Sequence, residues 1–156
     1  FNMLGIPFET RKTYEETIKI NKEAQVQYPS MAFFFPFEKT KLRDIAIQQK
    51  LFFPEGIDKD VDCRSNEPAL HFKNLTRQEL IEMRNVFVFY VKLPEEYYFF
   101  IKRSEKLDDV GKNLRKKIIE IYENTVFKND GWYKDDGFRK EYLRELNKLI
   151  LQYKRK

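Results

Sequence analysis

Sulfur and imidazole are scarce in this chain: its 156 residues include one cysteine, Cys63, and one histidine, His71. A single thiol closes no intrachain disulfide and fits a reducing compartment, which we read as the cytoplasm. One thiol and one imidazole also fall short of the three or four protein ligands of a zinc site, so His71 is expected to be a loop or packing residue rather than a ligand or a base. Glycine is equally sparse. Five scattered glycines form no phosphate-cradling loop. No run approaches the ~20 consecutive apolar residues of a membrane span, and no basic n-region or cleavage signal is present.

What the chain does have is charge of both signs and many aromatic rings. Thirty basic residues against 25 acidic ones leave a net charge of +5. The basic residues cluster at Arg115-Lys116-Lys117 and Lys154-Arg155-Lys156, but acidic residues interleave almost everywhere else. That pattern argues against the continuous basic face that nucleic-acid binding requires. With 42% hydrophobic and 16% aromatic residues, a chain of this length can bury a real core.

Periodicity divides the chain into two unlike parts. Residues 11–25 read as a helix with Thr10 or Thr13 as N-cap and with Tyr14, Ile18 and Ala24 near one face. A nearly continuous apolar run over 30–35 reads as a parallel strand buried on both sides. Thr40 caps a further helix to about residue 51, on which Leu42, Ile45 and Ala46 or Gln49 mark the faces. Residues 52–75 form a polar connection. Within it Asp58, Asp60 and Asp62 have the spacing that opens a calcium-binding loop, but Cys63 and Ala69 stand where that loop needs Gly and a bidentate Glu, so calcium is not expected. From residue 76 the pattern is helical. Thr76 and Glu79 make a capping box, and Leu80, Met83, Phe87 and Tyr90 or Val91 follow at helical spacing, although Val86 to Val91 also permits a strand. A short aromatic helix over 95–103 comes next. One helix opens at Asp108-Asp109 and carries Leu114, Ile118, Ile121 and Tyr122; Asn129-Asp130-Gly131 forms a turn. Another helix follows Asp136-Gly137, with Phe138, Tyr142, Leu146, Leu149 and Tyr153 in line and Leu143 and Ile150 widening the face. These helices are expected to form a small cluster with an apolar docking face.

The segments that carry function-specific pattern are two. Asn2-Met3-Leu4-Gly5-Ile6-Pro7-Phe8-Glu9-Thr10 and Phe33-Phe34-Phe35-Pro36-Phe37-Glu38-Lys39-Thr40-Lys41-Leu42 each run from an apolar strand through a Pro-containing turn into a helix, the grammar of consecutive strand-loop-helix units in an α/β barrel. The first resembles the strand and loop written I-G-L-P-G-E-T in radical S-adenosylmethionine enzymes, and the second resembles the next strand, ending P-Y-P-G-T-x-L. Order and spacing agree with the family over the first 45 or so residues. Phe8 replaces the glycine of the first loop, and Glu38-Lys39 replace the Pro-Gly of the second.

The resemblance implies an α/β fold: the last strand-helix units of a partial TIM-like barrel at 1–51, the connection at 52–75, and a mostly α-helical C-terminal extension at 76–156. It implies S-adenosylmethionine and a 4Fe-4S cluster as cofactors of the parent enzyme, extending to cobalamin if the chain belongs to the cobalamin-associated branch. Its site residues carry over as Met3, Leu4 and Gly5 for the apolar wall and close backbone approach at the adenosyl group, Pro7 and Glu9 for the turn, and Phe35 and Pro36 for a further part of the wall. The three thiolates of C-x-x-x-C-x-x-C are missing, because Cys63 stands alone. The chain by itself is therefore expected to be inactive. Because it opens on Phe1 inside an apolar run, it is expected to begin in mid-fold, with an upstream barrel portion of the same parent chain as its partner and an unidentified small molecule as substrate. Two other classes remain: a non-catalytic helical interaction module, and a nucleic-acid-associated domain resting only on the basic bias.

Overall fold

A computed structural model of the chain describes residues 1–54, 67–125 and 136–154, with side chains in the last segment from residue 140 onward. The Asp58, Asp60, Asp62 and Cys63 positions, the Asn129-Asp130-Gly131 turn and the Phe138 side chain lie outside the described residues. The described chain is mostly helical. Its strands are β1 (Asn2–Leu4) and β2 (Met31–Phe33), and its α-helices are α1 (Arg11–Glu23), α2 (Lys41–Gln48), α3 (Arg77–Lys92), α4 (Tyr98–Ser104), α5 (Asp109–Thr125) and α6 (Asp136–Lys154). Residues Glu95–Tyr97 form a 3₁₀ turn that leads into α4. Two compact units result, Phe1–Pro94 and Glu95–Lys156.

In the first unit β1 and β2 pair in parallel, with Asn2 opposite Met31, Met3 opposite Ala32 and Leu4 opposite Phe33. A parallel pair needs a crossover, and α1 supplies it. Thr10 is the N-cap of α1, and its capping box is closed by Thr13 rather than by an acidic residue. Along the helix Tyr14 and Ile18 are buried as the periodicity predicts, but Ala24 is exposed at the C-cap. Asn21 takes the third buried position, and its side chain exchanges hydrogen bonds of 2.8 and 3.1 Å with that of Asn2 on β1. Periodicity misses this because it counts only apolar residues, whereas a paired amide is buried at little cost.

Helix α3 packs against α1 and β2. It is buried almost all round, through Leu80, Met83, Val86, Phe87, Phe89, Tyr90 and Val91, which resolves the ambiguity over 86–91 in favour of helix. Fully burying such side chains is worth roughly 1.5–3 kcal/mol each, so this helix anchors the unit. The expected division at 75/76 places it with the later helices; the compact units place it with the strands. Polar contacts fix its register. The Tyr14 hydroxyl donates to the Met83 carbonyl at 2.7 Å, Arg84 Nε to the Met31 carbonyl at 3.2 Å, and Lys22 Nζ to the Leu93 carbonyl at 2.9 Å. Phe34, Ala46, Phe52 and Leu70 form a second buried cluster, flanked by Ile6, Leu51, Ala69 and Phe72.

In the second unit α4 and α6 each pack on α5. Tyr142, Leu146, Leu149 and Ile150 are buried on α6, and Leu114 and Ile118 on α5. The aromatic run splits: Tyr97 and Phe100 are buried, whereas Phe99 is exposed. Among the described residues no helix is long and apolar enough to cross a membrane.

Candidate functional site

The loops that leave β1 and β2 lie side by side, because the strands are parallel neighbours and both loops leave at the same end of the sheet. The Leu4 carbonyl accepts from the Phe34 N–H at 2.8 Å, so the pairing continues to the start of both loops.

The first loop is a tight turn built from Pro7 and Phe8. The Glu9 N–H donates to the Ile6 carbonyl at 3.0 Å, Pro7 occupies the first central position, and Phe8 the second with φ +72°. Proline followed by a positive φ is the signature of a type II turn, whose second central residue is normally glycine. Gly5 is also left-handed, at φ +77°. Its buried Cα faces the ring of Phe72, which would stand 3.9 Å from an added Cβ. The loop is locked by Glu9: one carboxylate oxygen accepts from the Gly5 N–H at 3.1 Å, and the other accepts from the Thr13 hydroxyl. The carboxylate therefore ties the strand end to the first turn of α1. A Cβ on Gly5 would meet ordinary contact, so the left-handed φ, not a close approach, is what calls for glycine at this position.

The second loop repeats the device with different residues. Lys39 is left-handed at φ +64°, and the Thr40 hydroxyl, which caps α2, donates to the Phe37 carbonyl at 2.8 Å. Arg43 reaches back from α2, its Nη1 donating to the Pro36 carbonyl at 2.9 Å and its guanidinium lying 5.1 Å from the centre of the Phe52 ring. Pro36 is buried, and Phe35 is half-buried with its ring edge-on to Phe37 at 5.1 Å.

The strand residues divide by face. Asn2 turns its side chain to α1, so Leu4, two residues on, shares that covered face, where it is 1% exposed. Met3 points the other way and is 58% exposed, beside its exposed register partner Ala32. Pro7 is buried and Glu9 half-buried. Thus Gly5, Pro7 and Glu9 come together in one loop, Phe35 and Pro36 in its neighbour, Met3 on the open face of the sheet and Leu4 in the core behind it. Sequence reasoning did not single out Arg43 or Phe72, and it named Thr13 only as an alternative N-cap, whereas Thr10 is the cap and Thr13 closes its box.

His71 is exposed, with its ring 6.5 Å from that of Phe53 and its backbone N–H donating to the Leu51 carbonyl at 2.8 Å. Among the described residues no three His, Cys, Asp or Glu side chains converge as metal ligands would. A cubane cluster does not fit this chain's donor set, since Cys63 is its one thiol. No family model, no curated protein and no solved structure matches the chain.

Proposed function

We propose that this chain is the C-terminal part of a radical S-adenosylmethionine enzyme, contributing the last two strand-helix units of its barrel and a helical C-terminal portion. One observation carries the reading. The two positions at which the resembled motifs have glycine, and this chain does not, are Phe8 and Lys39, and both are left-handed. Gln25 and Lys50, just past the ends of α1 and α2, are left-handed as residues there often are; Phe8 and Lys39 instead precede α1 and α2, each at the motif's glycine, where such a backbone costs an L-residue about 1–2 kcal/mol. Support also comes from the order strand, tight turn, helix, parallel strand, tight turn, helix, and from the open face carrying Met3 and Ala32 opposite the face covered by α1. In a barrel the helices lie outside and the loops at the strand C-termini hold the ligand.

On this reading Met3 and Gly5 supply the apolar wall beside the adenosyl group. Leu4 supports that wall from the core, Pro7 and Glu9 hold the turn, and Phe35 and Pro36 extend the wall from the next strand. The cluster, which supplies the electron for reductive cleavage of S-adenosylmethionine, belongs to thiolates in another part of the parent polypeptide. Cobalamin, a small-molecule substrate and a reducing, cytoplasmic setting belong to the same proposal. Anaerobic iron and sulfide reconstitution of the full-length polypeptide tests it. The expected result is a cluster whose reduced-state electron paramagnetic resonance signal changes when S-adenosylmethionine is added. A full-length polypeptide that takes up no iron and does not bind S-adenosylmethionine would overturn it.

A further inference from the structure

We infer that the cleft between α5 and α6 binds an amphipathic monocarboxylate, a site in the second unit that is independent of the strand loops. A cavity of about 610 Å³ opens there, within the range of about 300–1,000 Å³ usual for small-molecule sites. Its floor is apolar, made by Leu114 of α5 and Leu149 of α6, both buried, with Val110 at the edge. Its rim is polar. Asn113 and Lys117 follow one another at a four-residue step on α5, and Tyr153 of α6 lines the cleft with its ring edge-on to Phe100 at 6.0 Å and its hydroxyl hydrogen-bonded to Arg103.

The charges are distributed unevenly along this cleft. At one end Arg103 also lines the cavity, but its Nη1 is bound to Asp108 at 2.9 Å, and Asp108 in turn accepts the Gly111 N–H at 2.8 Å. That guanidinium is compensated. Lys117 has no carboxylate partner among the described residues and lies about 12 Å along α5 from Asp109, eight residues at 1.5 Å rise. An anionic head therefore belongs at Lys117, with the Asn113 amide beside it, and the apolar body lies over Leu114, Leu149 and Val110 toward Asp109. The carboxylate of Asp109 repels a second negative group at that end, which selects a monoanion over a dianion.

Calorimetric titration of the whole chain with octanoate tests the assignment. We expect saturable binding of one octanoate per chain, weakened about fivefold by Lys117→Gln, the loss of one exposed charge pair. Octylamine and octanedioate are expected to bind more weakly than octanoate. Val110→Asp, which puts a charge on the edge of the floor, is expected to weaken octanoate as well. Both substituted side chains are exposed, and circular dichroism checks that the variants fold. Absence of saturable octanoate binding, unchanged affinity in Lys117→Gln, or equal binding of octylamine would each overturn the inference.

Discussion

Phe8 and Lys39 are strained for the same reason, because each holds a left-handed backbone without the freedom of glycine. Restoring glycine relieves about 1–2 kcal/mol in the folded state and gives back part of it through a more flexible unfolded chain. Phe8→Gly and Lys39→Gly are each expected to stabilise the chain by about 0.5–1 kcal/mol, read as a higher midpoint in urea with an unchanged slope. Their effects should add, since they lie in separate turns. A lower midpoint would mean that the Phe8 ring, 67% exposed, contributes contacts larger than the strain. Glu9→Ala should act in the opposite sense. It leaves the buried Gly5 N–H without its acceptor, at a cost of about 1–3 kcal/mol measurable in the same titration, while the Thr13 hydroxyl keeps the Thr10 carbonyl as acceptor at 2.9 Å.

Helix α5 shows how local packing reverses a propensity rule. Gly111 in a helix would ordinarily be improved by alanine, by about 1 kcal/mol. Here a Cβ would stand 2.2 Å from the Lys106 carbonyl oxygen, a backbone atom that cannot swing aside. Gly111→Ala is expected to destabilise by about 1–3 kcal/mol, and a neutral result would show that the α4–α5 turn moves freely. The start of the same helix titrates. The Gly111 N–H and then Arg103 hold the Asp108 carboxyl below its ordinary value. The unfolded chain therefore binds the proton first as pH falls. Stability from this contact is present above the ordinary value of about 3.9 and is lost as pH drops through the lower folded value. Asp108→Asn should flatten that part of the acid unfolding profile, and an unchanged profile would assign the acid sensitivity elsewhere.

What the sequence made legible in these elements depended on the kind of signal. The Thr76–Glu79 capping box was readable because both partners have distinctive side chains. The box at Thr10 was half-readable, because its second member is Thr13 instead of an acid. β2 is shorter than the apolar run over 30–35, since pairing ends where the chain turns into the second loop and Phe34 joins the cluster with Ala46 and Phe52. In the candidate site, Gly5, Pro7 and Glu9 could be placed in one loop from their order alone. The opposite facing of Met3 and Leu4 needed the Asn2–Asn21 contact to tell the covered face from the open one. The turns at Phe8 and Lys39 were least legible, because a rule based on glycine reads its replacement as loss of the turn, whereas the flanking hydrogen bonds keep the backbone in place.

The two compact units carry different kinds of chemistry. Residues 1–94 hold the parallel strands and the locked loops on which the enzyme reading rests; residues 95–156 hold a helical cluster with its own cleft. The central claim is that the first unit completes a barrel whose cluster ligands come from elsewhere in the same reading frame, and sequencing the coding DNA upstream of the Phe1 codon tests it most directly. The account predicts an open frame of about 200 residues, the usual barrel size less the two units seen here, containing C-x-x-x-C-x-x-C. A start codon close to Phe1 with no such motif before it would contradict the account.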